Sequence, residues 1–272
     1  MTAYDEQPPG RRLRRDIWLQ LFSLPILAFI SLPLLALFLR VSPAQLLRNL
    51  QQPQVLQAIG LSVGTSLAAT LITILFGTPL AYALARRAFR YQRLIDTLID
   101  LPIVLPPAVA GVALLVAFGR RGLFGGLLTD LGISIAFSTA AVIMAQIFIA
   151  APFYVKAARI GFVAIDWELE QAAGLDGANP WQVFRYVIIP LSWTALLGGS
   201  VMTWARAMGE FGATIIFAGN FPGRTQTMPL AIYLGFELDL NIALTLSVIL
   251  VLFSFLVLML VKGLLQREVT AL

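Results

Sequence analysis

Long apolar stretches without any charged residue constrain this chain more than any other feature of its sequence. From Leu240 to Val261 there is neither an acid nor a base. A helix needs about 20 such residues to cross the hydrocarbon core of a bilayer. The apolar residues are continuous rather than alternating with a period of two, which is the pattern of membrane helices and not of barrel strands. The chain is therefore expected to be a helical integral membrane protein.

Six long, mostly apolar stretches can be read, which predicts an all-α membrane protein with six transmembrane helices. Hydrophobic residues make up 59% of the chain and charged residues only 12%, whereas a soluble domain carries roughly 25% charged residues. The second and fifth stretches exceed one bilayer thickness, which predicts that they tilt or project beyond the membrane. The predicted spans are Trp18–Leu39, Val55–Ala85, Thr97–Phe118, Ile133–Val155, a fifth from after Pro190 to about Ala218, and Leu240–Val261.

Positively charged residues lie mostly on one side of the predicted membrane, which by the positive-inside rule is the cytoplasm. Both termini are therefore predicted to be cytoplasmic, with an arm at 1–16, a membrane domain at 17–262 that includes a cytoplasmic loop at 156–190, and a tail at 263–272. The outer side holds only Arg40, Arg48, Arg120, Arg121 and Arg224. The cytoplasmic side holds Arg11, Arg12, Arg14, Arg15, Arg86, Arg87, Arg90, Arg93, Lys156, Arg159, Arg185, Lys262 and Arg267.

The basic region Arg11–Arg15 before the first apolar stretch also fits a cleaved signal peptide. That stretch is longer than a usual signal core, however, and it has no small-x-small cleavage site near its end. We therefore expect an uncleaved first helix.

Residue types that carry catalysis and metal binding are scarce in this chain. It has no cysteine and no histidine, which excludes disulfides and the usual zinc and copper sites. Gly119–Gly126 is glycine-rich but lacks the Gly-Lys-Ser/Thr ending of a nucleotide loop. The net charge of +5 is explained by cytoplasmic loops beside anionic lipid, so no nucleic-acid partner is expected. The chain is predicted to be no enzyme and to bind no cofactor itself.

Three prolines interrupt the third predicted span, at Pro102, Pro106 and Pro107. Each removes a backbone donor, so the helix is predicted to kink or break there. Broken helices can line a pathway, but a kink that serves packing alone is the preferred interpretation. Asp96 and Asp100 lie at the cytoplasmic end of this span, where we expect them to anchor that end.

A polar segment from Asp166 to Pro190 separates the fourth and fifth predicted spans, and its first part predicts a short helix. Asp166 is a suitable N-cap, and acidic residues follow in the first turn, where the helix dipole favours them. Gly174 and Gly177 can end this helix, because glycine adopts the left-handed conformation at little cost.

The second part of the segment predicts another short helix. Asn179 is a suitable N-cap, and Pro180 follows at the first helical position, where proline loses no hydrogen bond. Trp181, Phe184 and Val187 give this helix an apolar face, and Pro190 breaks the pattern before the fifth span. An amphipathic linker on the membrane surface is the alternative, but small residues and two glycines fit docking against another protein better.

Arg206 and Glu210 lie inside the fifth predicted span. An ionisable group in a bilayer costs roughly 3 kcal/mol. Four residues apart, the two side chains share one face of a helix and can pair. The spacing alone favours equally a translocation path or gate and an internal ion pair that orients the helix.

The polar segment resembles the cytoplasmic EAA loop of the permeases of ABC importers. That loop has Glu-Ala-Ala, a glycine, and an apolar-x-Leu-Pro ending. Gln171 departs from it at the first alanine, Ile189 replaces the usual leucine, and the glutamate-to-glycine spacing is one residue longer. The matching residues are Glu170, Ala172, Ala173, Gly177, Val187, Ile189 and Pro190.

Two later stretches, Arg206–Thr214 and Ala218–Tyr233, resemble the molybdate permease branch of the same importers. Sulfate permeases share the Gly-Glu-Phe-Gly core, whereas the Gly-Arg-Thr-Gln-Thr-x-Pro-Leu stretch from Gly223 is more like the molybdate branch. The predicted topology places this stretch outside the membrane, where a simple loop rich in proline and glycine also fits. The resemblance extends from the second span onward.

The resemblance implies a type I ABC-importer permease-like bundle in the cell (inner) membrane that works as a homodimer. The implied partners are a separate ATPase that holds ATP and magnesium, a periplasmic or lipid-anchored substrate-binding protein, a second copy of the chain, and membrane lipid. The implied cargo is molybdate, with tungstate or sulfate as alternatives.

The resemblance also implies roles for individual residues, each carried over from the matching motif. The implied ATPase contacts are Glu170, Ala172, Ala173, Gly177 and Pro190. The path or gate residues are Arg206, Gly209 and Glu210. The residues that dock the binding protein are Gly223, Arg224 and Thr225.

Two other functions remain compatible with the residues. An ion-coupled secondary carrier would use Arg206 and Glu210 as an ion or proton relay and would need no ATPase. A membrane scaffold that transports nothing would use the same pair for structure only.

Overall fold

The structure is a computed structural model that describes the backbone of residues 9–87 and 90–269 and the side chains of residues 22–87, 90–259, 261 and 263. Every regular element within these residues is helical. Residues 1–8 of the predicted cytoplasmic arm and 270–272 of the predicted tail lie outside the described residues.

Fourteen α-helices and one π-helical segment, Phe184–Ile188, make up the described fold. Four helices are long and apolar enough to cross a bilayer, and two bent pairs of helices raise this number to six if each pair is one span. The predicted helical class is therefore confirmed. In order, the α-helices are α1 (Pro9–Arg40), α2 (Pro43–Leu50), α3 (Pro53–Arg86), α4 (Gln92–Val104), α5 (Pro107–Phe118), α6 (Gly125–Asp130), α7 (Thr139–Val163), α8 (Trp167–Leu175), α9 (Pro180–Val183), α10 (Ile189–Leu191), α11 (Trp193–Met208), α12 (Gly212–Phe217), α13 (Met228–Leu238) and α14 (Leu240–Val269).

The third predicted span is broken at its prolines. α4 ends at Val104, α5 begins at Pro107, and the two helices are bent by 117°. Proline lacks the N–H group that a continuing helix needs, and it restricts the residue before it. The predicted kink or break is confirmed, and the bend is far larger than a simple kink.

The fourth predicted span begins and ends later than expected. Ser138 caps α7 by accepting a hydrogen bond from the Ala141 N–H at 3.4 Å, and Phe137 before it has a positive φ of 61°. The other end continues to Val163 because the charged residues Lys156 and Arg159 find partners on α4. The cap at Ser138 therefore accounts for the later start of α7, and the ion pairs with α4 account for its later end.

The fifth predicted span is shorter than expected. α11 ends at Met208, and α12 begins only at Gly212. The predicted boundary near Ala218 was wrong, because the apolar residues after the break belong to a separate short helix.

The centre of the bundle is formed by α3, α7 and α11. Small residues allow these helices to approach closely. At Gly199 of α11, for example, an added Cβ would lie 2.8 Å from the Cβ of Ala157 on α7. One apolar cluster joins α3 and α7 to the segment after α7, a second joins α5, α7 and α12, and a third joins α3 with α11, α13 and α14.

Candidate coupling loop, buried ion pair and outer loop

The polar segment after α7 folds into the two short helices that its sequence predicts. α8 occupies Trp167–Leu175, and Asp166 lies at its N-cap position, but the Asp166 side chain makes no capping hydrogen bond. Gly177 has a φ of +89°, and the Ala178 N–H donates to the Ala173 carbonyl at 3.0 Å. Gly177 therefore ends α8 as predicted. Gly174 does not, because it lies within the helix.

The second helix begins as predicted but continues further. The Asn179 side chain accepts from the Gln182 N–H, and the Gln182 side chain accepts from the Asn179 N–H, at 2.9 and 2.8 Å. α9 then passes into the π-helical segment and α10, which contains Pro190. A π-helical turn widens the backbone, which relieves the clash of a proline ring with the preceding turn. The bend to α11, of 73°, falls near Ser192, so the predicted break at Pro190 came too early.

The apolar face of this second helix differs from the prediction. Val183 and Ile188 are buried, and Phe184 and Val187 pack against the same cluster. Trp181, which was predicted to share that face, is 64% exposed. Trp181 lies in the first turn of α9, before the π-helical segment, and its ring still contacts that of Phe184, with centroids 5.8 Å apart.

Glu170 faces the bundle rather than the surface of the loop. Its Oε1 lies 2.5 Å from Nη2 of Arg86, at the end of α3, and the two side chains are only 9% and 12% exposed. The Tyr82 hydroxyl donates to Oε2 of Glu170 at 3.4 Å. Among the other matched residues, Ala173 packs against the same cluster, whereas Ala172, Gly177 and Pro190 are exposed.

Several large apolar side chains of the segment are exposed. They lie before and after Ala172 and Gly177 along the chain, and exposed apolar side chains of this kind are common where another protein binds. These side chains are those of Trp167, Leu169, Leu175, Trp181 and Tyr186.

Arg206 and Glu210 pair as their spacing predicts, although not on one continuous helix. Nη1 of Arg206 lies 3.0 Å from Oε2 of Glu210. α11 ends between them, and the second Glu210 oxygen, Oε1, accepts from the Ala213 N–H at 2.8 Å. Glu210 thus stabilises the start of α12, where the helix dipole favours an anion. Its side chain is completely buried, whereas that of Arg206 is 33% exposed, and Gly209 between them is exposed.

The loop from Gly219 to Thr227 is held firmly by its own hydrogen bonds and by two helices. The Thr225 hydroxyl accepts from the Phe221 N–H at 3.0 Å, and Thr225 is fully buried. The Met228 N–H donates to the Ser62 hydroxyl of α3 at 2.6 Å. Of the three residues predicted to dock a binding protein, Gly223 and Arg224 are exposed, whereas Thr225 supports the loop from inside.

Two ion pairs join α4 to α7. Oδ1 of Asp96 lies 2.5 Å from Arg159, and Oδ1 of Asp100 lies 2.7 Å from Lys156. The predicted anchoring role of the two aspartates is confirmed. A cleft of about 190 Å³ lies beside these pairs.

Sequence reasoning missed Arg86, Tyr82 and Ser62. Each lies on α3 and contacts a residue distant along the chain. Helical periodicity identifies the face on which such a residue lies but not the element that packs against it. Of the three residues, only Arg86 carried a sequence signal for such a contact, because it is a charged residue at the end of a long apolar helix. Within the described residues, no three side chains with metal-binding chemistry come together.

The chain matches the family described as "Binding-protein-dependent transport system inner membrane component" over residues 74–270. It is 42% identical over 240 residues to the molybdenum transport system permease protein ModB of Mycobacterium tuberculosis. The aligned region covers 88% of this chain and 91% of the relative. It is 36% identical over 231 residues to the molybdate/tungstate transport system permease protein WtpB of Thermococcus kodakarensis, which covers 83% and 88% of the two chains.

Solved structures also resemble this fold. A chain of a bacterial ABC transporter involved in the import of the acidic polysaccharide alginate aligns with a TM-score of 0.74, at 16% identity, over 95% of this chain and 98% of that chain. A chain of the MetNI methionine ABC transporter in an inward-facing conformation aligns with a TM-score of 0.56, at 18% identity, over 80% and 99%. At these identities the likeness concerns the fold.

Proposed function

The chain belongs to the family of binding-protein-dependent transport system inner membrane components, and from this premise we propose that it is the membrane-spanning subunit of an ATP-driven importer of molybdate. It is a multi-pass membrane protein and a transport subunit rather than an enzyme. The observation that carries the choice of cargo is its identity of 42% to a molybdenum permease over nearly the whole length of both chains. Tungstate is the second cargo that the relatives support, because one is a molybdate/tungstate permease.

The segment from Asp166 to Pro190 is proposed to bind the ATPase. It presents exposed apolar side chains around Ala172 and Gly177 on a turn that has a capping box and a left-handed glycine. A rigid turn that offers apolar surface is suited to moving as a unit with a partner. ATP binding by that partner would shift the permease between inward and outward states to the extent that the partner binds the two states differently.

A second copy of the chain is proposed to complete the pathway at a two-fold axis. Arg206, Gly209 and Glu210 are proposed to line or gate it. Arg206 is partly exposed at the point where α11 breaks, so its guanidinium can meet an oxyanion, and the buried Glu210 fixes its position. Glu210 also limits the net positive charge there, which prevents a divalent anion from being held too tightly to leave.

The outer loop is proposed to dock a substrate-binding protein through Gly223 and Arg224. Its backbone is hydrogen-bonded to α3 and α7. The Met228 N–H donates to the Ser62 hydroxyl of α3, and the Thr139 hydroxyl of α7 donates to the Arg224 carbonyl at 2.9 Å. These hydrogen bonds hold the exposed tip of the loop in a single conformation, which favours binding of a partner protein.

The ion-coupled carrier is not favoured. The relatives are permeases of binding-protein-dependent systems. Both Glu210 oxygens are also engaged, one by Arg206 and one by the Ala213 N–H, which leaves little for a coupling ion.

Reconstitution in liposomes tests this function. The permease is combined with the ATPase and the substrate-binding protein of its own transport system, and the uptake of radiolabelled molybdate, tungstate and sulfate is compared. We expect ATP-dependent uptake of molybdate that requires the loaded binding protein. Uptake driven by an ion gradient without ATP would contradict the proposal.

Gly177→Ala tests the ATPase contact in the same system. Its left-handed φ costs an alanine about 1 kcal/mol, while the new Cβ would meet no atom within 4 Å. We expect weaker ATPase binding and weaker stimulation of ATP hydrolysis in a protein that remains folded. Gly174→Ala is the matched control, because Gly174 lies inside α8 with the same free space. Equal loss in both variants would contradict a specific role for this turn.

A further inference from the structure

The end of α3 carries a polar cluster around Arg86, a residue that the proposed function does not use. Nη2 of Arg86 lies 2.5 Å from Oε1 of Glu170 and donates to the Ile165 carbonyl at 2.9 Å. The same guanidinium lies 5.8 Å from the ring centroid of Trp167. One side chain of α3 thus contacts three residues that surround the start of α8.

An aromatic cluster backs this polar contact. The Tyr82 ring packs edge-on against Phe162 and Phe184, with centroids 5.7 and 5.1 Å apart, and its hydroxyl donates to Glu170. The ion pair is therefore enclosed between α3, the end of α7 and the π-helical segment. Within such an enclosure an ion pair is screened little by water or salt.

α8 has few other means of attachment to the bundle. It contains nine residues and none of them is buried, and the Asp166 side chain provides no cap. A helix of this length is marginal on its own in water. Ala173 is the main apolar residue of α8 that packs inward, so Glu170, which contacts both Arg86 and Tyr82, provides its main polar contact with the membrane helices.

α3 extends from this contact to the opposite end of the molecule. It has 34 residues, which corresponds to about 50 Å. Near its other end, the Ser62 hydroxyl accepts from the Met228 N–H at the base of the outer loop. α3 therefore contacts both the start of α8 and the base of the loop that is proposed to dock the binding protein.

We propose that Arg86 is the positioning residue that ties α8 to α3, and that Glu170 acts in coupling through Arg86 rather than by direct contact with the ATPase. This proposal rests on the proposed function for its consequence in transport, but the attachment itself is a property of the permease alone. The two parts are therefore tested by separate measurements.

Hydrogen–deuterium exchange of the full-length permease in detergent tests the attachment. In the Arg86→Met variant, the amides of residues 167–178 are expected to exchange on the order of tenfold faster than in the wild-type protein. Local opening of α8 has to break the ion pair in the wild-type protein, whereas the variant has no ion pair to break. Arg87→Met is the matched control, since it removes the same charge from the exposed neighbouring residue. Unchanged exchange of α8 in Arg86→Met would overturn the proposal, whatever the protein transports.

A double-mutant cycle tests the consequence for transport. Stimulation of ATP hydrolysis by the molybdate-loaded binding protein is measured for Arg86→Met, Glu170→Met and the double variant, at equal amounts of bound ATPase. Residues that act as one pair are strongly non-additive. We expect each single change to lower the stimulation several-fold. The double variant is expected to show at least as much stimulation as the single variant with the lower stimulation, because replacing both partners leaves no unpaired charge.

Three other outcomes are decisive. If the two effects multiply, Glu170 acts independently of Arg86 and the proposal is overturned. If exchange accelerates in Arg86→Met while stimulation stays at the wild-type level, Arg86 has a structural role only and the coupling role is overturned. If the wild-type protein shows no stimulation, the proposed function fails and the coupling role with it, whereas the exchange measurement still decides whether Arg86 holds α8.

Discussion

At the scale of single residues, the two buried ion pairs differ in how their charges are compensated. Glu170 and Arg86 are both nearly buried and join distant parts of the chain. Glu210 is completely buried, but Arg206 is one-third exposed, and Glu210 has a second partner in the Ala213 N–H. Removing the cation is therefore expected to cost more than removing the anion in the second pair, because a buried charge without a partner is the expensive state.

We predict that Arg206→Met destabilises the protein more than Glu210→Gln. The first change leaves a buried carboxylate without its cation and is expected to cost up to about 3 kcal/mol. The second keeps an oxygen for the Ala213 N–H and leaves a partly solvated guanidinium, for a cost of about 1 kcal/mol. Thermal unfolding in detergent, followed by tryptophan fluorescence, gives the order of the Tm values. The reverse order would mean that Arg206 does not compensate Glu210.

At the scale of elements, the broken helices are the main feature that the apolar pattern did not contain. α5 follows the break after α4, and α12 follows the break after α11. These two short helices pack closely against each other. A Cβ added at Gly111 of α5 would lie 2.8 Å from both the carbonyl oxygen of Ala213 and the Cβ of Ile216. The contact depends on a position without a side chain, as is common where membrane helices pack tightly.

We predict that Gly111→Ala separates α5 from α12 and costs roughly 1–3 kcal/mol, since the backbone of Ala213 cannot yield as a flexible side chain would. Gly64→Ala on α3 is the control, because an added Cβ there meets no atom within 4 Å, and alanine is the better helix former. The Tm should fall for the first variant and stay equal or rise for the second. A similar Tm for both would show that α5 and α12 are not in close contact in the membrane.

At the scale of the whole molecule, the first helix leaves a large apolar surface exposed. The apolar part of α1, Phe22–Arg40, has no buried residue in its most hydrophobic window. α1 contacts α14, and we expect lipid or a second copy of the chain to cover the rest of its apolar surface. The side of the membrane on which each loop lies stays a prediction from the distribution of basic residues.

Cysteine labelling of intact cells tests the topology, and the chain has no native cysteine to interfere. If both bent helix pairs cross the membrane, Leu123→Cys and Arg224→Cys react with an impermeant maleimide from outside. Arg87→Cys and Leu175→Cys then react only after permeabilisation. Labelling of Leu123→Cys and Arg87→Cys from the same side would show that α4 and α5 form a re-entrant pair instead of a span.

The sequence by itself determined the features that depend on neighbours along the chain. Apolar runs predicted the membrane helices, Pro102, Pro106 and Pro107 predicted the break, and Gly177 and Asn179 predicted the turn between α8 and α9. The pairing of Arg206 with Glu210 was also predictable, because four residues separate them. All of these follow from helical geometry, capping and backbone conformation, which are local properties.

Only the tertiary structure decided which distant residues meet. It placed Glu170 on Arg86 instead of on the loop surface, buried Thr225, exposed Trp181 and ended α11 before Glu210. The physical reason is that hydropathy measures how strongly a residue avoids water and not which helix covers it. The partner of a charged side chain at a helix end is set by helix packing, and that packing arises from contacts between residues far apart in the chain.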